Sequence, residues 1–387
     1  MELSRYVFRS GDMLYNSMNN IKFKVGASES ELRDNFFMAG QERRSLEARL
    51  FAKPKRLAVK IIPTWECNLR CKHCSVLHRL KKRDDFRIEP ADVVRFMEGL
   101  KTNYGLEKFS LFFIGGECLL RSKECLSIAE AVLASLGSDN VLVSVTTNLS
   151  VDLDLDAIRL LSMTKTFDVS LDGTEEQHNW QRKVTAVNSE LNPFRKTFFN
   201  IMRLVKLGFR DKIKVQAAIQ DAVSDESEKE KFFENLVRIG VKFENITYGG
   251  VHPTTKNPHA DQTYLNHLKS TSFWRIPCCD YRYMAHFSFN PDGSIDDDYF
   301  GNISERNTLN ISGFGRSYGV EELESMYRSK IERNMSIMND EVCLNKCPVL
   351  AYCWGRCHNN ALAVTNPSSH CDMIGLEKAV VDSFNRA

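Results

Sequence analysis

Three cysteines that share one short loop are the residues of this sequence best suited to do chemistry. Cys67, Cys71 and Cys74 have the spacing CxxxCxxC directly after an apolar run, and His73 lies beside the last of them. Three thiolates on one loop can bind three irons of a [4Fe–4S] cube, which leaves the fourth iron free to bind a substrate or cosubstrate. The alternative is a zinc site, but zinc usually takes four ligands from paired CxxC knuckles. The spacing therefore favours the cluster.

The remaining cysteines divide into a large C-terminal group and a small central one. Seven of the twelve cysteines lie in the last third of the chain: Cys278, Cys279, Cys343, Cys347, Cys353, Cys357 and Cys371. Because the N-terminus lacks the apolar stretch of a signal peptide, we expect a reducing cytoplasm, where cysteines serve metal or redox chemistry. Zinc ribbons are the alternative for this group, and its uneven spacing counts against them. Cys118 and Cys125 are interpreted as core thiols.

Composition excludes several classes of function. The chain has 387 residues with 52 basic and 50 acidic side chains, so that its formal net charge is only +2. This balance argues against nucleic-acid partners and against a polybasic membrane anchor. A hydrophobic content of 43% is ordinary for a globular protein, and no apolar run is long enough to cross a membrane.

The elements that must position the first cysteine group form a regular series. Strands are predicted over 56–64, 108–116, 140–148, 166–173, 212–220 and 242–250, and helices over 90–102, 122–136, 154–163, 194–207 and 225–239. Six alternating strand–helix units predict an α/β fold with a parallel sheet, but they are too few for an eight-stranded barrel. We expect a partial (β/α)6 TIM-like barrel over 56–255, with active residues at the carboxyl ends of its strands. Residues 1–55 then form an N-terminal segment with a helical stretch over 29–51, and residues 256–387 form a loop-rich second domain.

The cysteine loop and the end of the second strand together resemble a known family. The CxxxCxxC loop after the first strand, with Gly115-Gly116-Glu117 at the end of the second, resembles the radical S-adenosylmethionine (radical SAM) superfamily. The resemblance implies that SAM chelates the open iron of a [4Fe–4S] cluster. It also implies that the reduced cluster cleaves SAM to methionine and a 5′-deoxyadenosyl radical, which abstracts a hydrogen atom from the substrate.

By the same resemblance, seven residues are expected to bind SAM: His73, Gly115, Gly116, Glu117, Asn148, Ser170 and Arg182. The two glycines would let the backbone approach the SAM amino group, and Glu117 would accept a hydrogen bond from that ammonium. His73 would lie near the adenine. Asn148 and Ser170 would contact the ribose and methionine regions. Arg182 would pair with the SAM carboxylate, for which a guanidinium is well shaped.

The C-terminal cysteines resemble the SPASM domain, an extension of radical SAM enzymes that holds two auxiliary Fe–S clusters. The matching run is Cys343-x3-Cys347-x5-Cys353-x3-Cys357-x13-Cys371, with Cys279-x13-Gly293 upstream of it. The resemblance implies that one [4Fe–4S] cluster is held by Cys343, Cys347, Cys353 and Cys371. Cys357 would then bind the nearer cluster together with Cys279, which the spacing favours over its neighbour Cys278.

The SPASM pattern is broken at one position. The cysteine expected five residues after Gly293 is replaced by Asp298. A carboxylate is a harder ligand than a thiolate, so the nearer cluster could have an Asp ligand, an open iron or a [2Fe–2S] core. Alternatively, Asp298 is a solvated acid in an acidic run. The first gap of the later run is also CxxxC where the family usually has CxxC.

These resemblances predict an enzyme that modifies peptides. SPASM enzymes mostly act on peptides or proteins, so we expect a maturase of a ribosomal precursor peptide that forms a C–C or thioether crosslink. Its electron donor would be a flavodoxin or ferredoxin. Asp298 and Tyr299 are candidates for proton or electron handling, and Tyr299 in place of an acid counts against a sulfatase maturase. The alternatives are a dehydrogenase of a small alcohol, a sugar or a protein side chain, and a non-enzymatic Fe–S carrier or peptide-binding scaffold.

Overall fold

The structure is a computed structural model that describes part of the chain. The described residues are 7–10, 12–16, 21–26, 28, 30, 54, 56–74, 76–80, 85–219, 225–250, 285–296 and 309–326. The chain divides into two compact units. One comprises Lys55–Thr255 and Ala285–Leu323, and the other comprises Met1–Pro54, Lys256–Met284 and Glu324–Ala387.

The strands are numbered in chain order. They are β1 (Val7–Ser10), β2 (Met13–Asn16), β3 (Ile21–Lys24), β4 (Arg56–Ile61), β5 (Leu69–Cys71), β6 (Lys108–Phe113), β7 (Val141–Thr147), β8 (Phe167–Ser170), β9 (Arg182–Val184), β10 (Ile213–Ile219), β11 (Ile246–Gly250), β12 (Ala285–Phe289) and β13 (Ile295–Asp296). The helices with both ends described are α1 (Pro90–Tyr104), α2 (Ser122–Leu136), α3 (Leu155–Met163), α4 (Glu175–Gln181), α5 (Pro193–Lys206) and α6 (Glu226–Arg238).

A parallel sheet forms the larger unit, as the sequence predicts. Its strand order is β11-β10-β8-β7-β6-β4-β12-β13, so that the six predicted strands lie side by side in chain order. All pairings among these six strands are parallel. Leu57, Ala58 and Val59 of β4 are all fully buried, which is typical of a parallel strand with both faces covered. The predicted α/β fold with a partial TIM-like barrel is confirmed for these strands.

Local signals set the ends of the predicted helices. α1 and α5 begin at Pro90 and Pro193, where the missing N–H of proline costs no hydrogen bond. α1 ends at Tyr104 and is capped by Gly105, which adopts the left-handed conformation with φ 65°. At the start of α3 the Asp154 carboxylate accepts a hydrogen bond from Ala157 N at 2.7 Å. These signals explain why the predicted and observed bounds agree to within a few residues.

Two strands of the sheet, β12 and β13, were not predicted. β12 pairs in parallel with β4 and is followed by the short antiparallel strand β13. Phe287 and Phe289 of β12 are buried and contact Phe96 of α1 edge-on, with ring centroids 5.0 and 4.9 Å apart. The compact unit that holds the barrel therefore includes Ala285–Leu323, which the sequence analysis assigned to the second domain. The alternating AHFSF before the turn NPDG was the available signal.

The smaller unit contributes a separate sheet. β1, β2 and β3 form a three-stranded antiparallel sheet in which Phe8 is the pairing partner of Tyr15 and Leu14 that of Phe23. The helix predicted over 29–51 lies almost entirely outside the described residues. In the part of the chain that the structure describes, no helix is long and apolar enough to cross a membrane.

Candidate functional site

The cysteine loop leaves the carboxyl end of β4 and is fixed by a second, smaller sheet. β5 lies inside the loop and pairs antiparallel with β9, which places Cys71 opposite Arg182. The pairing continues at Lys72, whose N–H donates to the carbonyl of Gln181 at 2.8 Å. This sheet was not predicted. It makes the middle of the loop a strand and fixes Cys71 relative to Arg182.

The three thiols lie in a weakly polar environment that disfavours their charged forms. Burial, with a smaller effect of the Glu117 carboxylate, raises the pKa of Cys67 to about 12. Burial raises the pKa of Cys71 to about 11 although the Arg182 guanidinium opposes it. Burial also raises the pKa of Cys74. Three thiolates here therefore need a bound cation, and the irons of a cluster provide that charge.

Donor groups point at two of the sulfur atoms. Leu69 N donates to Cys67 Sγ at 3.4 Å, and Asn148 Nδ2 approaches the same sulfur at 3.7 Å. Arg182 Nη1 approaches Cys71 Sγ at 3.8 Å. Hydrogen bonds to ligating sulfurs tune an iron–sulfur centre.

The two glycines of the GGE sequence allow close backbone packing. A Cβ on Gly116 would lie 2.1 Å from the carbonyl oxygen of Glu66, and one on Gly115 would lie 2.8 Å from that of Thr64. Gly116 N donates to Thr64 O at 3.0 Å, and Glu117 N donates to Glu66 O at 2.8 Å. In the structure, therefore, the glycines fix the chain that leads into the cysteine loop. The expectation that they let the backbone approach SAM stays a prediction.

Glu117 is anchored at the end of β7. Its carboxylate accepts hydrogen bonds from Thr147 Oγ1 at 2.6 Å, from Asn148 N at 2.7 Å and from Leu119 N at 3.1 Å. Burial raises its pKa, and these hydrogen bonds oppose the shift. The sequence analysis did not identify Thr147, although it directly precedes the predicted residue Asn148.

Asn148 links the loop to the end of β7. Its Nδ2 donates to Asn68 Oδ1 at 2.9 Å, and its Oδ1 accepts from Ser150 N at 2.8 Å. Asn68 Nδ2 donates in turn to Ser150 Oγ at 2.9 Å. These amides fix the backbone beside Cys67, whereas a contact of Asn148 with SAM stays a prediction.

A buried ion pair that the sequence analysis did not predict lies beside Cys71. Asp172 accepts from Arg182 Nε at 2.6 Å and from Arg182 Nη2 at 3.0 Å, and Ala218 N donates to the same carboxylate at 3.0 Å. Burial opposes ionisation of Asp172, but Arg182 and the nearby histidines lower its pKa overall. Arg182 was predicted to bind SAM, whereas Asp172 was missed although it lies within the predicted strand 166–173, two residues after Ser170. Ser170, two residues earlier, is half-buried at the end of β8.

Two histidines flank Asp172. His73 Nε2 lies 3.6 Å from Asp172 Oδ2, and the buried His73 Nδ1 has no hydrogen-bond partner in the described residues. Burial lowers the pKa of His73 to about 4 although Asp172 opposes the shift. His178 Nδ1 accepts from Asp172 N at 3.0 Å, and burial lowers its pKa to about 3. Both imidazoles are therefore neutral at pH 7.

A comparison with protein families identifies this arrangement. Residues 61–227 match the family described as the Radical SAM superfamily. Residues 61–227 form a radical SAM domain. The matched range contains all three loop cysteines and every residue predicted to bind SAM. The predicted resemblance is confirmed, and the domain supports an enzyme.

Solved structures with the same fold include proteins with S-adenosylmethionine or a peptide bound. anSMEcpe with bound AdoMet and the Cp18Cys peptide is 17% identical, with a TM-score of 0.57 over 85% of this chain and 96% of that chain. Streptococcus suis SuiB bound to S-adenosylmethionine is 15% identical, with a TM-score of 0.53 over 96% of this chain and 100% of that one. SuiB bound to the precursor peptide SuiA is 13% identical, with a TM-score of 0.52 over 96% of this chain and 99% of that chain. None of the curated proteins searched matches this chain.

The radical SAM domain fits its cofactors by the chemistry of its donors. Within the described ranges, no three His, Cys, Asp or Glu side chains converge on one metal ion. A cube does not require such convergence, because each thiolate binds a different iron, whereas zinc does. His73 Nδ1, which has no hydrogen-bond partner in the described residues, and Arg182 Nη1, which approaches Cys71 Sγ, are polar groups that SAM could engage. The residues present therefore fit a [4Fe–4S] cluster with SAM.

Two other cysteines of the radical SAM domain belong to the core, as expected. Cys118 and Cys125 are fully buried. Cys118 Sγ donates to Thr146 O at 3.3 Å, and Cys125 Sγ donates to Cys118 O at 3.7 Å. Burial raises the pKa of both thiols well above the usual value. Neither thiol is suited to ligation.

The outer side of the β5–β9 sheet is cationic. Lys72 and Lys183 are exposed, and Lys72 Nζ lies 3.1 Å from the centroid of the Trp180 ring. Partial desolvation and the neighbouring Lys183 ammonium lower the pKa of Lys72. Arg70 Nη1 donates to the carbonyls of Cys67 and Leu69, both at 2.8 Å.

The predicted auxiliary-cluster residues lie outside the described part of the chain. They are Cys278, Cys279, Asp298, Tyr299, Cys343, Cys347, Cys353, Cys357 and Cys371. Both the SPASM assignment and the ligand sets remain predictions.

Proposed function

We propose that this chain is a radical SAM peptide maturase with a C-terminal SPASM domain. In this proposal it abstracts hydrogen from a residue of a ribosomal precursor peptide and forms a C–C or thioether crosslink. The reaction needs a low-potential electron donor and a reducing cytoplasm that keeps the cysteines unpaired. SAM bound at the open iron would supply the hydrogen-abstracting radical.

One observation carries the proposal. The loop offers three thiols, and the other cysteines of the described barrel, Cys118 and Cys125, are buried in the core with their sulfur atoms hydrogen-bonded. A cube on this loop would therefore have one iron without a cysteine ligand from the described barrel, and Arg182 Nη1 approaches the sulfur of the ligand Cys71 at 3.8 Å.

The residues around the open position have distinct tasks in this proposal. Arg182 uses Nε and Nη2 to bind Asp172, so that Nη1 is left to pair with the SAM carboxylate on the cluster side. His73 is neutral and its Nδ1 has no partner in the described residues, so it would accept one hydrogen bond from an adenine or donate one to it. Glu117 would receive the SAM ammonium at a carboxylate that three donors already hold in place.

The peptide substrate is supported by the neighbours in fold. SuiB has been solved bound to its precursor peptide SuiA, and anSMEcpe with the Cp18Cys peptide. β13 ends at Asp296, so Asp298 and Tyr299 lie two and three residues beyond it in the chain. In the proposal these two residues handle a proton or an electron on the substrate side, and Asp298 is a candidate ligand of the nearer auxiliary cluster.

Uncoupled SAM cleavage tests the enzyme. After anaerobic reconstitution, with dithionite and SAM, the protein should release 5′-deoxyadenosine, measured by liquid chromatography. Cys71→Ala should abolish this release because the cube loses a ligand. Cys125→Ala is the matched control and should retain it. A reconstituted protein with full iron content that produces none would overturn the proposal.

Co-expression tests the substrate class. The product of any short open reading frame found beside the gene would be the candidate precursor, and it should lose the mass of two hydrogen atoms on crosslinking. Cys371→Ala should still cleave SAM but form no product, since its cluster lies in the C-terminal domain. Product formation by that variant would show that this cluster is dispensable, and an unmodified peptide would count against a crosslink.

A further inference from the structure

Three basic residues share one side of the small sheet that contains the cysteine loop. Arg70 of β5 and Lys72, the residue that follows β5 and continues its pairing through Gln181, flank Cys71 and therefore project from the side opposite to it. On β9, Lys183 is the direct pairing partner of Arg70 and so lies on the same side. We call Arg70, Lys72 and Lys183 the cationic strand face.

This face is not neutralised by acids of the described chain. Other surface lysines form ion pairs, such as Lys242 with Asp211 at 2.8 Å and Lys231 with Glu228 at 2.6 Å. Among the residues that the structure describes, no carboxylate lies within ion-pair distance of the cationic strand face. Its groups contact a ring and backbone carbonyls instead. Like charges on paired strands oppose pairing, so the arrangement costs stability that an internal acid would have relieved.

The face lies directly behind a cluster ligand. Arg70 and Lys72 are the chain neighbours of Cys71, and consecutive Cα atoms are only about 3.8 Å apart. The Arg70 guanidinium also donates to the carbonyl of Cys67, a second ligand of the same loop. A molecule that contacts this face is therefore separated from the cluster position by one layer of backbone. The opposite side of the sheet carries Cys71 and Arg182, where SAM is expected.

We propose that the cationic strand face is the docking surface of an acidic one-electron carrier protein of the flavodoxin or ferredoxin class. The inference rests on the proposed function, because only a redox cluster on this loop needs such a partner. In this step the reduced carrier would give one electron to the cluster, so that the carrier is oxidised by one electron and the cluster is reduced by one electron. No bond forms or breaks in this step. Charge complementarity selects an acidic partner and speeds its encounter.

Charge reversal separates this docking from the chemistry. The double variant Lys72→Glu/Lys183→Glu should lose about tenfold or more of the rate of 5′-deoxyadenosine release supported by reduced flavodoxin at low salt. With dithionite, a small reductant, the same variant should match the wild type. If dithionite supports no release in the wild type, the proposed function fails; equal flavodoxin-supported rates in the two proteins overturn the docking surface alone.

A second double variant controls for net charge. Lys101→Glu/Lys206→Glu makes the same change in net charge. Lys101 lies in the last turn of α1 and Lys206 in the last turn of α5, where each helix leads to the start of the strand that follows it. It should keep the flavodoxin-supported rate within about twofold of the wild type. The deficit of the Lys72/Lys183 variant should shrink toward 1 M salt, where the Debye length is about 3 Å. An equal loss in both variants overturns the proposal.

Binding gives a readout that does not depend on turnover. Zero-length carbodiimide crosslinking of the wild-type holoenzyme to flavodoxin, followed by peptide mass spectrometry, should join flavodoxin carboxylates to Lys72 or Lys183. Crosslinks confined to other lysines overturn the proposal whether or not the variants fold. The Lys72/Lys183 variant could instead cleave SAM normally with either reductant and yet form no peptide product. That outcome would assign the cationic strand face to an acidic peptide and would also overturn the proposal.

Discussion

Replacing Asp172 with asparagine tests whether the buried pair with Arg182 holds the site together. Asp172 is fully buried, and its carboxylate accepts two hydrogen bonds from Arg182 and one from Ala218 N. Asp172→Asn removes the negative charge and leaves the Arg182 guanidinium buried without a counter-charge. Breaking a buried pair from one side typically costs about 3–5 kcal/mol. For a unit of this size, at roughly 2–4 °C per kcal/mol, the unfolding midpoint should fall by about 6–20 °C.

A surface pair provides the matched control. Asp152 pairs with Lys196, but the Asp152 side chain is 96% exposed, so Asp152→Asn should cost less than about 1 kcal/mol. Both substitutions remove one carboxylate charge, and the thermal unfolding midpoint of the apoprotein is measured for each. A midpoint for Asp172→Asn within about 2 °C of that for Asp152→Asn would refute the reasoning.

Removing both charges distinguishes the cost of an unpaired buried charge from the cost of altered packing. In Asp172→Asn/Arg182→Leu the uncompensated guanidinium is gone, so the double variant should unfold at a higher temperature than Asp172→Asn alone. The single variant Arg182→Leu is measured as well. If the loss in the double variant equals the sum of the losses in the two single variants, the loss in Asp172→Asn does not come from an unpaired buried charge.

Two further predictions concern the same site. Gly116→Ala should lower the iron content after reconstitution and cost about 1–3 kcal/mol, because its Cβ would lie 2.1 Å from the Glu66 carbonyl oxygen. The control Gly105→Ala meets no atom within 4 Å and should keep the iron content, at a backbone cost of about 1–2 kcal/mol. The second prediction is that acid weakens the apoprotein through Asp172, whose pKa is lowered on folding. This contribution is present above the unfolded pKa of about 3.9 and is lost as the pH falls through the lower folded value. Midpoints measured from pH 6 to pH 3 should therefore fall more steeply in the wild type than in Asp172→Asn, and parallel curves would exclude this role.

Local patterns in the sequence were sufficient to predict most of the barrel. Alternating apolar strands and amphipathic helices predicted six parallel strands, and prolines such as Pro90 and Pro193 lie where helices begin. These signals are local because the periodicity of apolar residues and the preferences of proline and glycine can be read within a window of a few residues. The spacing of Cys67, Cys71 and Cys74 is local in the same sense. Because all three thiols belong to one short loop, that spacing by itself indicates a cluster.

Only the tertiary structure decided how distant segments meet around that loop. Asn68 lies beside Asn148, 80 residues away in the chain, and Glu117 beside Thr147, 30 residues away. β12 pairs with β4 although most of the barrel lies between them in the chain. No periodicity encodes such contacts, because they depend on which strands become neighbours. Sequence alone therefore identified Arg182 as a candidate, whereas only the pairing of β5 with β9 placed it beside Cys71, with Asp172 holding its charge.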